Sequence, residues 1–94
     1  PEGDYVTKGN SLPITIHLDN YGDFDLEDVR VTVSNLKLGI RHRIGPFDLD
    51  EGDEMSRTVY VEVPTYAQSG WYDLRITVAN DELHRVKHRD IWVE

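Results

Sequence analysis

Cysteine is absent from this chain of 94 residues, and with it go disulfide bridges, thiolate metal centres and thiol chemistry, although not any choice of compartment. A chain of this length must then hold one core by side-chain packing alone. Positive charge is scarce: ten lysines and arginines stand against eighteen acids, a formal net charge of −8. That balance disfavours nucleic acid and anionic membrane surfaces as partners, since both repel such a field. No apolar run reaches the length of a membrane span, and no basic start leads into an apolar core as in a signal peptide. Catalytic grammar is missing as well. Ser11, Ser34, Ser56 and Ser69 lie in no nucleophile elbow, there is no glycine-rich phosphate loop, and the paired carboxylates fall in turns.

What is present is alternation. Hydrophobic residues at 38% and charged ones at 30% belong to a globular domain rather than a disordered acidic tail. In the stretch from Ser69 to Ala79, Tyr72, Leu74, Ile76 and Val78 sit two apart with Asp73, Arg75 and Thr77 between them. One face of an extended strand is then apolar and the other wet. Leu12, Ile14, Ile16 and Leu18 repeat the pattern against Thr15 and His17, and Pro13 belongs at the strand's start or where its nitrogen faces solvent. Asn20-Tyr21-Gly22-Asp23 reads as a turn built on positive φ. Leu26 and then Val29, Val31 and Val33 form the next strand, β-branched and spaced by two, which argues against a helix.

The remaining segments are less even. Pro1 to Ser11 is a polar lead with Tyr5 and Val6 as a short edge strand. Leu36, Leu38 and Ile40 share a parity, which predicts a short edge strand from Leu36 to Ile44, guarded by Arg41-His42-Arg43. Gly45-Pro46 is expected to turn the chain, with Phe47 and Leu49 entering the core from a loop. Met55 to Val63 predicts a long strand with Val59, Val61 and Val63 inward, ended by Pro64. Leu83 to Val93 predicts the closing strand. There Val86 and His88 conflict in parity with Ile91 and Val93, and a bulge near Arg89-Asp90 would reconcile them.

No internal repeat or low-complexity tract interrupts this series. About seven short strands, all antiparallel in expectation, predict an all-β, immunoglobulin-like antiparallel β-sandwich in two sheets. It is expected to be one domain over residues 1–94. A start at Pro1 instead of methionine, and a last strand running up to Glu94, suggest a module cut from a longer protein.

Two resemblances rest on particular residues. Gly70-Trp71-Tyr72-Asp73-Leu74 resembles the immunoglobulin-like strand that opens Gly-x-Tyr-x-Cys, with Leu74 at the cysteine's place; this implies that Tyr72 is the corner tyrosine whose hydroxyl bonds nearby backbone. The disulfide and core tryptophan of antibody domains are missing. Leu12 to Gly22, Leu26-Glu27-Asp28-Val29-Arg30-Val31 and Gly70 to Ile76 together resemble the CARDB domain (cell adhesion related domain found in bacteria) and related modules of archaeal surface-layer proteins. That resemblance implies a spacer or adhesion unit, repeated in tandem on an extracellular or cell-surface protein. The basic segment from Leu83 to Arg89 departs from the acidic, Asn-rich loop usual there.

Three sets of residues are candidates for binding. Asp19, Asp23, Asp25, Glu27 and Asp28, with Asp48, Asp50, Glu51, Asp53 and Glu54, form two acidic loops that would serve calcium if they met at one end of the fold. Their order does not match an EF-hand, and solvated turn carboxylates are the plainer reading. Trp71 falls on the parity opposite its strand's core face, as do Tyr60 on the strand expected beside it and Trp92 near the end. A flat row of exposed rings would stack on sugar faces; the plainer reading is cover for sheet edges or a neighbouring domain. His17, His42, His84 and His88 are metal-ligand types, but on a strand His84 and His88 stand ~13 Å apart, too far for one ion. The basic strand around them suits a salt-sensitive contact with acidic residues of a neighbour.

The residues thus point to a structural or adhesive module that is not an enzyme and needs no cofactor. Its expected partners are neighbouring domains or other surface proteins. The alternative is a carbohydrate- or calcium-binding accessory module. Nucleic acid and direct membrane insertion are not expected.

Overall fold

The computed structural model describes residues 4–94. Pro1, Glu2 and Gly3 of the polar lead lie outside the described residues. The described chain is all β, with seven strands and no helix: β1 (Asp4–Val6), β2 (Ser11–Asp19), β3 (Leu26–Asn35), β4 (Ile40–Leu49), β5 (Glu54–Glu62), β6 (Gly70–Ala79) and β7 (His84–Val93). They form a five-stranded sheet in the order β1-β7-β6-β3-β4 and a two-stranded sheet, β2-β5. One expectation fails at once. β1 runs parallel to β7, Asp4 to Val6 against Ile91 to Val93, so the five-stranded sheet is mixed. The last strand comes back beside the first three described residues, and in this pairing Val6 is buried in the core opposite Val93.

Alternation places the core between the sheets. Leu12, Ile14 and Ile16 of β2 and Val59 and Val61 of β5 are buried in one cluster with Val31, Val33, Leu74, Ile91 and Val93 of the larger sheet. Val6, Leu38, Ala67 and Val63 close its margins. At about 25 cal/mol per Å² of apolar surface removed from water, burial of this cluster is the main stabilising term. Val59 and Val61 of β5 and Val29, Val31 and Val33 of β3 are buried as expected, as are Leu12, Ile14 and Ile16 of β2, whereas Leu18 and Leu26 are only half-buried. On β6 only Leu74 is fully buried; Tyr72, Ile76 and Val78 are half-buried against the cluster.

The edge strand expected from Leu36 starts later. Asn35 Oδ1 accepts the Leu38 N–H at 2.9 Å, and the Gly39 N–H donates to the Leu36 carbonyl at 3.2 Å. Residues 36–39 therefore form a turn that leaves Leu36 in solvent, while Leu38 reaches the core. β4 then continues through Gly45-Pro46, where a chain reversal was expected, and Phe47 and Leu49 are strand residues. The β3–β4 register slips on both sides of Val29, and this irregularity accommodates the pair. Asp28 (φ 54°) and Gly45 (φ 102°) take left-handed backbone there.

No bulge interrupts β7 against β6. Their pairing is unbroken from Gly70–Val93 to Ala79–His84. Ile91 and Val93 face the core, so Arg85, Lys87 and Arg89 share that face, and Val86 and His88 face outward. The parity conflict in the sequence thus marks a strand whose last residues, Ile91 and Val93, are buried in the core, while Arg85, Lys87 and Arg89 before them stand exposed on the same side.

Candidate functional site

The acidic loops do meet. Asn20 is buried and ties them: its Nδ2 donates to the carbonyls of Phe24 and Leu49, each at 2.9 Å, and its Oδ1 accepts the Gly22 N–H at 3.1 Å. Its backbone joins Asp53 and Gly52 across the gap. The first turn is thus built by an asparagine side chain, where positive φ was expected. Asp25 accepts the Glu51 N–H at 2.8 Å, and Asp48 accepts the Asp28 N–H at 3.2 Å. Asp25, then loss of hydration, then Asp53 and Asp48 hold the Asp50 carboxyl above its usual 3.8. These four are near enough to repel, yet two of them already spend an oxygen on backbone.

Among the described residues, the group whose donor atoms converge for a metal lies elsewhere. His17, Asp19 and Glu54 bring one donor atom each to within 4.8 Å of one another on the outer face of the β2–β5 pair. The register explains it, since Asp19 stands opposite Glu54 and His17 opposite Ser56. Ser56 Oγ lies 2.8 Å from His17 Nδ1, which leaves Nε2 toward Glu54 at 3.9 Å. One imidazole with two carboxylates suits zinc better than calcium, and all three residues are exposed. Of the calcium candidates, Asp19 belongs here, and Asp23 makes no hydrogen bond or ion pair among the described residues.

The aromatic row divides. Trp71 and Trp92 are cross-strand partners on the outer face of the five-stranded sheet, with ring centroids 5.3 Å apart and planes at 69°. Tyr5 is paired with Trp92 from β1 and gives its hydroxyl to the Glu94 carboxylate. Tyr60 lies on β5, which pairs with β2, so it faces away from the opposite side of the molecule. Tyr5 (54% exposed) on β1 and Trp71 (59%) on β6 are open to solvent on either side of the half-buried Trp92 on β7, but the edge-on tryptophans make no flat platform. Of the histidines, His88 Nδ1 meets Asp73 Oδ2 at 2.7 Å.

A concavity of about 920 Å³ runs between β2 and the inner face of β6 and β7. Leu18, Ile76 and Val78 supply apolar surface, and Arg85, Lys87 and Arg89 line one wall. Sequence reasoning missed it; the parity conflict on β7 was its signal.

No protein-family model and no curated protein matches the chain. Among solved structures it is similar to a family 123 glycoside hydrolase from Clostridium perfringens, described for glycolipid glycan hydrolysis, with a TM-score of 0.56 and 14% identity. The likeness covers 97% of this chain and 22% of that one. This chain thus spans about a fifth of the hydrolase's length, and at that identity the likeness concerns fold alone.

Proposed function

We propose that the chain is a non-catalytic, immunoglobulin-like sandwich module that serves a structural or adhesive role in a multidomain, extracellular or cell-surface protein. The observation that carries this is the Tyr72 hydroxyl, which donates to the Gln68 carbonyl at 2.7 Å, the contact implied by the corner tyrosine. The strand order β1-β7-β6-β3-β4 with β2-β5 supports the same reading. So does the likeness to one part of a much longer chain. The CARDB-like segments fit this role, with neighbouring domains as partners. β1 and β7 are parallel, so tension between the chain ends loads their mutual hydrogen bonds in shear. Copies joined in tandem and stretched from their ends are expected to unfold in discrete single steps; smooth extension with no such step would contradict a structural role.

The Trp71, Trp92 and Tyr5 patch favours a second reading, an accessory module that holds a sugar chain by its apolar face. Titration with a glycan panel, followed by tryptophan emission, separates the two. Saturable quenching lost in Trp71→Ala would favour the sugar reading; no quenching by any glycan is expected of the first.

A further inference from the structure

The cleft beside β2 has two walls of complementary kind. On one side is an open sheet edge. β2 pairs with β5 alone, in constant register from Ser11–Glu62 to Asp19–Glu54. At the two ends of that ladder, the Asn10 carbonyl accepts from the Val63 N–H at 3.0 Å and the Asn20 N–H donates to the Asp53 carbonyl at 2.9 Å. Antiparallel bonding alternates, so the even-numbered residues of β2 bond to β5. The odd-numbered ones, among them Thr15, His17 and Asp19, then aim their N–H and C=O groups at the open edge. Pro13 is in the same phase, its missing N–H on the edge side, and blocks the far end. The Thr15 to Asp19 half has no such guard.

On the other side are cations where core residues would stand. Arg85, Lys87 and Arg89 are opposite Val78, Ile76 and Leu74 on the inward face of β7. In a chain with ten cations and a net charge of −8, three of them form one row at two-residue spacing. Arg85 and Lys87 make no hydrogen bond or ion pair among the described residues. Same-face side chains of a strand repeat every ~6.6–7 Å, so a second strand laid alongside matches this row residue for residue.

We propose that this cleft receives an extended acidic peptide segment, which adds as a strand to the open edge of β2 and sets alternate carboxylates against Lys87 and Arg85. Backbone pairing would supply affinity and the charge row selectivity. A long polyanion such as nucleic acid has no use for the N–H and C=O ladder and meets the repulsion of the whole molecule. A second copy is a poorer occupant, since its acidic segments are loops tied down through Asn20.

The test uses a fluorescent seven-residue peptide of alternating glutamate and valine, its lysine–valine counterpart, and one with the glutamates contiguous. Anisotropy is expected to show saturable binding of the first alone, weakening with added salt. The double variant Arg85→Glu with Lys87→Glu should weaken it at least ~10-fold, since opposed like charges replace attraction. Thr15→Pro removes an edge-facing N–H together with the Thr15 Oγ1–Thr58 Oγ1 contact at 3.1 Å, so it should abolish binding at a temperature where the variant is still folded. Thr15→Val, which loses the same contact and keeps the N–H, should bind as the parent does. The bound peptide should shift the amide resonances of Thr15, His17 and Asp19. No saturable binding, equal binding of the three peptides, indifference to the charge reversal, or a self-associated dimer that fills the cleft would each overturn the proposal.

Discussion

Asn20 shows how much one polar side chain can fix. It is buried, and every polar atom of its side chain is bonded. Asn20→Ala removes three bonds worth about 0.5–1.5 kcal/mol each and strands the Leu49 carbonyl, so a loss of about 2–4 kcal/mol is expected by urea denaturation. A loss below that range would mean that the turn holds without it. Asp50 acts in the opposite direction. Its carboxyl is raised chiefly by Asp25, so the folded state takes up its proton more readily than the unfolded chain. Stability from this site therefore grows as pH falls from above the raised value toward 3.8, and repulsion remains unrelieved at neutral pH. Asp50→Asn is expected to raise the melting temperature at pH 7 and leave it unchanged near pH 3, as scanning calorimetry would read. An equal shift at both pH values would contradict electrostatic repulsion as the cause.

At the scale of strands and turns, asparagine does similar work three times. Asn35 caps its own turn through Leu38 and reaches the Asp73 carbonyl at 2.8 Å; Asn80 accepts from Glu82 and Leu83 and reaches the Glu27 carbonyl at 3.1 Å. Each thus closes a reversal and ties it to another strand. The β3–β4 pair is held differently, by a slip in register around Val29. A Cβ on Gly45 would fall 2.5 Å from the Val29 carbonyl oxygen, whereas one on Gly52 meets nothing. Both glycines have positive φ, so Gly45→Ala is expected to cost clearly more than the about 1–3 kcal/mol of backbone strain expected for Gly52→Ala, read from thermal unfolding of the two variants. Equal costs would place the strain in φ alone.

Most of the strands were legible because a core face on a sheet repeats every second residue: Ile14, Val33, Val61 and Leu74 are each where alternation puts them. Register slips and parallel pairing carry no such period, so the short strand at Tyr5 and Val6 was readable but its direction was not, nor was the passage of β4 through Gly45-Pro46. The candidate sites divide in the same way. Acidic loops and exposed rings were readable as residues, but which strand lies beside which decides their company, and Tyr60 and Trp71 part on that account.

In the whole molecule, 44 × 24 × 17 Å, the small sheet depends on the large one. A two-stranded ribbon is marginal by itself in water, so β2 and β5 persist through the apolar layer that they share with β3, β6 and β7. That shared layer is the claim on which the fold, the open edge and the cleft all rest. Native-state hydrogen exchange tests it most directly. The amides of Ile14 and Val61 should exchange only through global unfolding, with the same free energy and denaturant slope as those of Val33 and Leu74. Exchange of the β2–β5 pair through a separate opening of much lower free energy, while the five-stranded sheet stays protected, would contradict the account.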